Sequence, residues 1–378
     1  MARRDMTLEA GARAPVADLA AGRWNAAVDS LDGSVFLRDE WLRAIAGGGL
    51  VDADAAHVVL DADGEITALA ACLLTRRCPK LEMFREYYLS SPFAGQTVGV
   101  VHSMYAQRSQ LLARSEADRA RLLTELEDRC RDAAGLFLPM VAAGDPLLDL
   151  VRDRGYAVGL LSCTNVLPIH WASLDEYLAS RPSRKRNNIR HVLRTVEREG
   201  VTVEVRRDAE AVDTLARMVE RTARRHGSPL FFDGRFLRSV VTALGAKASV
   251  FVVTAGERVL LSCLALHHGG ELVPWCIGLD YDALPQYDQY NALYIAIIRY
   301  AIEHGVREVN FGRSTYLIKR KFGCVQRPVY AAMTGPPHHA ADRREWIDAI
   351  DRRARRELAE VSLAVTDGDE YARKVGER

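Results

Sequence analysis

The sequence predicts an α/β (α+β) protein built of two repeated units, each a mixed sheet flanked by helices. Three observations predict it. Apolar residues switch along the chain between alternation at every second position and recurrence every three to four, the marks of strands and helices in turn. Two hairpin stretches match: VVLDADGEITALAACLL (Val58 to Leu74) and FVVTAGERVLLSCLAL (Phe251 to Leu266) share an apolar strand, a Gly–Glu turn and a small-or-Cys–Leu exit. Helical patterns precede each hairpin and helix–strand patterns follow it, which is how a duplicated domain reads. With 378 residues, 48% of them apolar, the chain can bury two such cores.

Residues 1–32 read as an N-terminal extension with a short helix around Trp24–Val28. The first domain, 33–175, opens with Val35–Phe36–Leu37 and a helix through Trp41–Leu42 and Ile45 that stops at Gly47. Val58–Leu60, the turn Asp61–Gly64 and a strand from Ile66 to Leu74 make the first hairpin. A long charged helix is expected from Tyr105 to Ala134, then the strand Leu136–Val141, a helix near Leu147–Arg154 and the strand Tyr156–Leu167. The second domain, 176–337, begins with a basic helix within Arg181–Arg198, where Ile189, Val192, Leu193 and Val196 form an apolar stripe. The strand Val201–Val205, helices Asp208–His226 and Phe231–Leu244, the second hairpin and the strand Glu271–Leu279 follow. Leu284 to Gly323 then reads as loop, helix, tight turn, short strand Val306–Phe311 and a basic clip with Lys319, Arg320 and Lys321 in one helical turn. The remainder, 338–378, is a helical tail with Trp346, Ile350 and Leu358 on its packed side.

The formal net charge of +1 excludes a protein that coats nucleic acid non-specifically, although a local basic stripe can still hold a polyanion. Seven scattered cysteines with no C-x-x-C pair read as reduced core residues. No charged-then-apolar leader opens the chain and no apolar run could span a bilayer, so a cytoplasmic protein without membrane insertion is expected.

No glycine-rich phosphate loop, H-E-x-x-H or G-x-S-x-G is present, which leaves dinucleotide, zinc-protease and hydrolase readings without support. His267–His268 point to opposite faces of a strand, so no metal is expected. What remains is a polar cluster in the second domain: Asp280, Asp282, Tyr287, Tyr290, Asn291, Asn310, Arg313, Ser314, Thr315, Tyr316 and Lys319. Such groups hold a polar ligand and stabilise charge without supplying a side-chain nucleophile. Direct attack of a bound amine on an activated acyl group fits them, with Lys319 as the cation at the oxyanion and Asp280 or Asp282 as the proton acceptor. On the basic helix, Arg184, Lys185, Arg186, Arg190 and Arg194 have two readings, a solvated face or a site for phosphates.

The order of elements, the duplication and three motifs together resemble the Fem-type branch of the GNAT acyltransferase superfamily. The motifs are RKRNNIRHVLRTVEREG followed by VTVEV, the stretch GLDYDALPQYDQYNALYIAIIRYAIEHGVREVNFGRS, and YLIKRKFG. The last is similar to the F-K-x-x-F-G clip of that branch, with Ile318 in place of its first Phe and the functional lysine at Lys319. Asn310–Phe311–Gly312 stands where members often have Asp-Phe-Gly. The resemblance covers about Val35 to Met333 and implies two tandem GNAT-like domains. It also implies an amide-forming aminoacyltransferase without cofactor, with aminoacyl-tRNA as donor and an amine of a peptide, cell-wall precursor or specialised metabolite as acceptor. In that reading the basic helix contacts tRNA phosphates, and Tyr290, Asn291, Asn310, Arg313, Ser314 and Tyr316 line the pocket. Coenzyme A-dependent GNAT proteins carry a glycine-containing pyrophosphate loop where this chain has LPQYDQYNALY, without glycine. Two further readings stay open: an N-acyltransferase using a coenzyme A or acyl-carrier thioester, and a non-catalytic ligand-binding protein.

Overall fold

The computed structural model describes residues 21–47, 53–76, 93, 95–225, 234–283 and 287–361. The chain forms two compact units, Met1–Thr164 with Arg327–Arg378, and Asn165–Gln326.

In unit 1, α1 (Ala21–Ser30) buries Trp24, Ala27 and Val28 at helical spacing, and the Trp24 indole donates to Leu37 O at 2.7 Å. A 3-10 turn at Val35–Leu37 leads into α2 (Asp39–Gly47), whose Trp41 and Ile45 are buried. Strands β1 (Ala53–Ala55), β2 (Val58–Ala62), β3 (Glu65–Ala70) and β4 (Leu73–Thr75) follow. The sequence reads one strand from Ile66 to Leu74; the structure divides it between two sheets. β2 pairs with β3, and β3 with β6 (Leu112–Ala113), in a three-stranded sheet, whereas β4 lies between β1 and β5 (Val98–Val100) in the larger sheet. The cause is a corner at Ala71–Cys72. The imidazole of buried His57 accepts from Cys72 N at 3.0 Å and Ala56 N donates to Cys72 O at 2.8 Å, so both arms of the hairpin change sheet together. Burial pushes the His57 pKa down to about 4 and keeps that acceptor neutral.

The helix expected from Tyr105 to Ala134 is shorter, α3 (Glu116–Arg129). Ser115 starts it by accepting from Asp118 N, and an N-cap fixes where a helix begins more sharply than charge patterning does. β7 (Leu136–Ala142) runs parallel to β5, α4 (Pro146–Asp153) is capped by Asp145, and β8 (Ala157–Pro168) follows. The chain passes into unit 2 within β8 and returns within β14 (Val325–Thr334), which pairs with β7. The sequence reading places these divisions later, at 175/176 and 337/338, because the pairing of a strand end is not written in its own residues. The last described helix, α11 (Ala340–Glu360), buries Trp346, Ile347, Ile350, Ala354 and Leu358 along one stripe.

Unit 2 contains α5 (Leu174–Ser180), α6 (Ser183–Arg198), β9 (Val201–Arg206), α7 (Ala209–Arg225) and α8 (Gly234–Leu244). Then come β10 (Ala248–Ala255), β11 (Arg258–His268), β12 (Glu271–Leu279), α9 (Gln289–Glu303), β13 (Glu308–Asn310) and α10 (Tyr316–Lys321). The expectation for Phe231 falls outside the described residues. α5 is an addition to the sequence reading: Ser173 accepts from Glu176 N, and the Glu176 carboxylate accepts from Ala172 N. Starting from the end of β8, the strand order is β8-β13-β12-β11-β10-β9, with β12 and β13 parallel and the other pairs antiparallel. α9 is buried nearly all round, through Leu293, Tyr294, Ile297, Ile298 and Ala301 among others, so the unit packs about it. Among the described residues no helix is long and apolar enough to cross a membrane.

Candidate active site

The parallel pairing of β12 with β13 stops at Leu272 and Val309, and the chain beyond β13 turns toward the end of β8. That departure is where the polar cluster gathers. Asn310 holds the strand end from both sides: its amide nitrogen donates to Glu271 at 3.0 Å and its amide oxygen accepts from Gly312 N at 3.0 Å. Gly312 has a φ of 68°, and its carbonyl accepts from both the backbone N–H and the side-chain amide of Asn165, at 2.9 and 2.8 Å. Ser314 and Thr315 then adopt left-handed backbone at φ 62° and 46°, a conformation that costs L-residues energy and that the surrounding contacts hold in place.

Thr315 starts α10, and this short helix turns Lys319 back under the loop. Lys319 is 3% exposed; its Nζ donates to Arg313 O at 2.6 Å and to Gly312 O at 3.3 Å. No carboxylate pairs with it among the described residues. Burial is the main reason its pKa falls to about 7; Arg313 adds to the fall and Cys324 opposes it. An ammonium has three N–H donors, so two carbonyls leave one over.

Aromatic rings lock this loop to α9. Tyr294 stacks on Phe311 at 4.6 Å and on Phe322 at 5.2 Å. The Tyr290 and Tyr294 hydroxyls share hydrogen bonds with each other and with Thr315, and burial raises the pKa of both phenols. Lys321 donates to Asn291 Oδ1 at 3.1 Å, and the Asn291 amide donates to Asp288, which itself sits in left-handed backbone at the start of α9. The structure therefore brings together Tyr290, Asn291, Asn310, Ser314 and Lys319, with Arg313 and Tyr316 half-buried on the same loop.

Asp280 and Asp282 have other partners. Asp280, 8% exposed, takes Arg258 at 2.7 Å and Arg221 at 3.9 Å, and Asp282 takes Arg221 at 2.7 Å. Each is thus an arginine-neutralised carboxylate on the α7 side of β12. On α6, Arg184, Lys185, Arg190 and Arg194 are exposed and have no carboxylate partner among the described residues. Arg186 is half-buried and donates to Ala179 O and Arg181 O, closing the C-terminal end of α5.

Sequence reasoning passed over three residues of this site. Asn165 lies far off in the chain, and only the pairing of β8 with β13 delivers it. Tyr294 reads as one more large residue in an apolar helix. Gly323, at φ 93°, packs so closely on the Arg181 guanidinium that a Cβ would lie 2.2 Å from it; the glycine in K-F-G was the available signal.

Residues 183–320 match the family model described as acetyltransferase (GNAT) domain. Known structures share the fold over most of the chain. FemX superposes with a TM-score of 0.62 at 16% identity, covering 86% of this chain and 98% of that one. L-PGS from Bacillus licheniformis gives 0.56 at 16% identity, over 86% and 96%. No curated protein sequence matches. The resemblance to the Fem-type branch is thus seen at the level of fold, in a mixed α/β architecture whose unit 2 holds the residues matching the GNAT model. The polar loop around Lys319 lies at the C-terminal end of that matched segment.

Proposed function

We propose that the GNAT domain catalyses amide formation by transferring an aminoacyl group from aminoacyl-tRNA to an amine acceptor. The acceptor class is a peptide, cell-wall precursor or specialised metabolite. The observation that carries this reading is Lys319: a buried amine held by two carbonyls at a strained loop, with no carboxylate and no third acceptor among the described residues. Such a group is poised for an oxyanion.

In the reaction the neutral acceptor amine attacks the ester carbonyl. A C–N bond forms and the carbonyl electron pair moves to oxygen, where the Lys319 ammonium stabilises it. Collapse breaks the C–O bond to the tRNA ribose, and the proton lost by the amine ends on that leaving oxygen by way of solvent or a carboxylate. Asp280 or Asp282 can serve only by exchanging an arginine contact for this proton. The ester is already activated, so the step needs no nucleotide hydrolysis. Asn310, Ser314, Tyr290 and Tyr316 orient the reacting groups, Asn291 and Arg313 supply polar contacts, and Arg184, Lys185, Arg190 and Arg194 meet the tRNA backbone, with Arg186 holding their helix on α5.

A carboxylate supports tRNA over coenzyme A as donor. Asp288 stands at the first turn of α9, tied to Asn291, where a pyrophosphate would otherwise approach the helix N-terminus. Binding of the purified chain to charged and uncharged total tRNA across a salt series tests the reading. Salt-dependent binding lost when Arg184, Arg190 and Arg194 become alanine together supports it. No binding at low salt, together with thermal protection by coenzyme A, would replace it with the thioester reading.

A further inference from the structure

We propose that unit 2 carries a second binding site, for a free aromatic α-amino acid, in a half-open cavity between α6, β9 and α9. The cavity measures about 370 Å³. It follows from the sheet register. Phe251 pairs with Val205 and Val253 with Val203, so the valines of β9 share one sheet face with Phe251. β9 is the last strand in the order, and Val205 remains 39% exposed. The helix lying over this face presents Ala292 and Ala296, one turn apart, where larger side chains would have filled the groove.

Size and shape favour a ring. A cavity of about 150 Å³ admits benzene, so this one has room for a phenol or indole with its Cβ. Tyr300 lines its wall, backed by the fully buried Phe251 with the two rings edge to face at 5.4 Å, so the wall at this point is aromatic.

Charge at the mouth completes the specification. Arg299 and Glu303 line the cavity, both exposed, four residues apart on α9. That spacing normally joins arginine to a carboxylate, as Arg353 joins Glu357 at 2.7 Å on α11. Arg299 and Glu303 are not joined, and neither has an ion pair among the described residues. One unpaired cation and one unpaired anion beside this cavity complement a zwitterion. The carboxylate goes to Arg299; the ammonium goes to Glu303, near the helix C-terminus, whose partial negative charge favours it. Arg299 lies eight residues beyond Asn291, about 12 Å along the helix, so this site is distinct from the Lys319 loop.

The test is equilibrium binding, by calorimetry and thermal shift on the full chain, of L-tryptophan, L-tyrosine and L-phenylalanine. The comparison ligands are tryptamine, which lacks the carboxylate, and indole-3-propionate, which lacks the ammonium. At least one amino acid should bind tenfold or more tighter than either analogue. Arg299→Gln and Glu303→Gln, at exposed positions, should each weaken it about tenfold, and Ala296→Leu should abolish it by filling the cavity. Lys319→Met should leave it unchanged. Three results would each overturn the proposal: no binding of any of the three amino acids, equal binding of the one-charge analogues, or loss of binding with Lys319→Met. Because the readout is binding rather than transfer, its failure leaves the reading of Lys319 where it stands.

Discussion

A parallel pair of strands occurs in each unit, β5 with β7 in unit 1 and β12 with β13 in unit 2, and the loops beyond them use buried polar side chains differently. Both loops carry left-handed non-glycine residues, Tyr105 in unit 1, Ser314 and Thr315 in unit 2. In unit 1 the polar groups close on the protein itself. Ser103 donates to Phe36 O, Ser109 donates to Pro139 O, and His102 and Ser109 lie 3.0 Å apart, all three residues buried. In unit 2 the buried group is a lysine with more donors than acceptors. The same backbone plan therefore serves as a joint in one unit and as a candidate site in the other. What separates them is unspent hydrogen-bonding capacity.

The sharpest way to break this comparison is at the two buried groups. Lys319→Met should lower transfer roughly ten- to a thousandfold, the scale of an oxyanion donor, while the chain stays folded. It should also raise stability near pH 7 by roughly 1–3 kcal/mol, since it removes a buried charge at the loss of two hydrogen bonds. Full activity in this variant would remove Lys319 from the chemistry. In unit 1, Ser109→Ala should leave turnover within about twofold and lower stability by roughly 1–2 kcal/mol, read from denaturant midpoints.

Next in size is the basic helix. Replacing Arg184, Arg190 and Arg194 together should weaken tRNA binding by about tenfold or more at moderate salt and flatten its salt dependence. Arg186→Ala should instead act on stability, by about 1 kcal/mol, through the end of α5. A tRNA defect from Arg186→Ala as large as that of the triple variant would show that the distinction between exposed and capping arginines is wrong.

The pH dependence sharpens the role of Lys319. Its folded pKa lies below its unfolded value, so the folded chain loses this proton first as pH rises. Stability should increase from about pH 7 toward 10 on this account, because there the unfolded chain binds the extra proton. If the cation is the working form, turnover with a saturating, already neutral amine should fall as pH rises through about 7. An activity that rises through the same range would make Lys319 a base instead. The smallest effect belongs to the exposed Arg198–Glu199 contact at 2.9 Å: Arg198→Ala should change stability by less than about 0.5 kcal/mol.

Much of this was legible in local pattern. The apolar stripe of α6, the spacing along α9 and the basic clip at Lys319 are statements about neighbours three or four residues away, which side-chain chemistry determines directly. The duplicated hairpins were legible too, but only as local strands. That one hairpin turns a corner at Cys72 and the other runs straight from Arg258 to His268 depends on where a buried His57 finds its partner.

By itself, then, the sequence determined the alternation of elements, the sites of the turns and the chemical inventory of the loop, because propensity and periodicity act over a few residues. Tertiary structure alone decided three matters. It buried Lys319 and so moved its pKa, it gave Asp280 and Asp282 to arginines, and it delivered Asn165 to the Gly312 carbonyl. Each depends on contacts between residues far apart in the chain, where desolvation and pairing are set by what else is buried nearby.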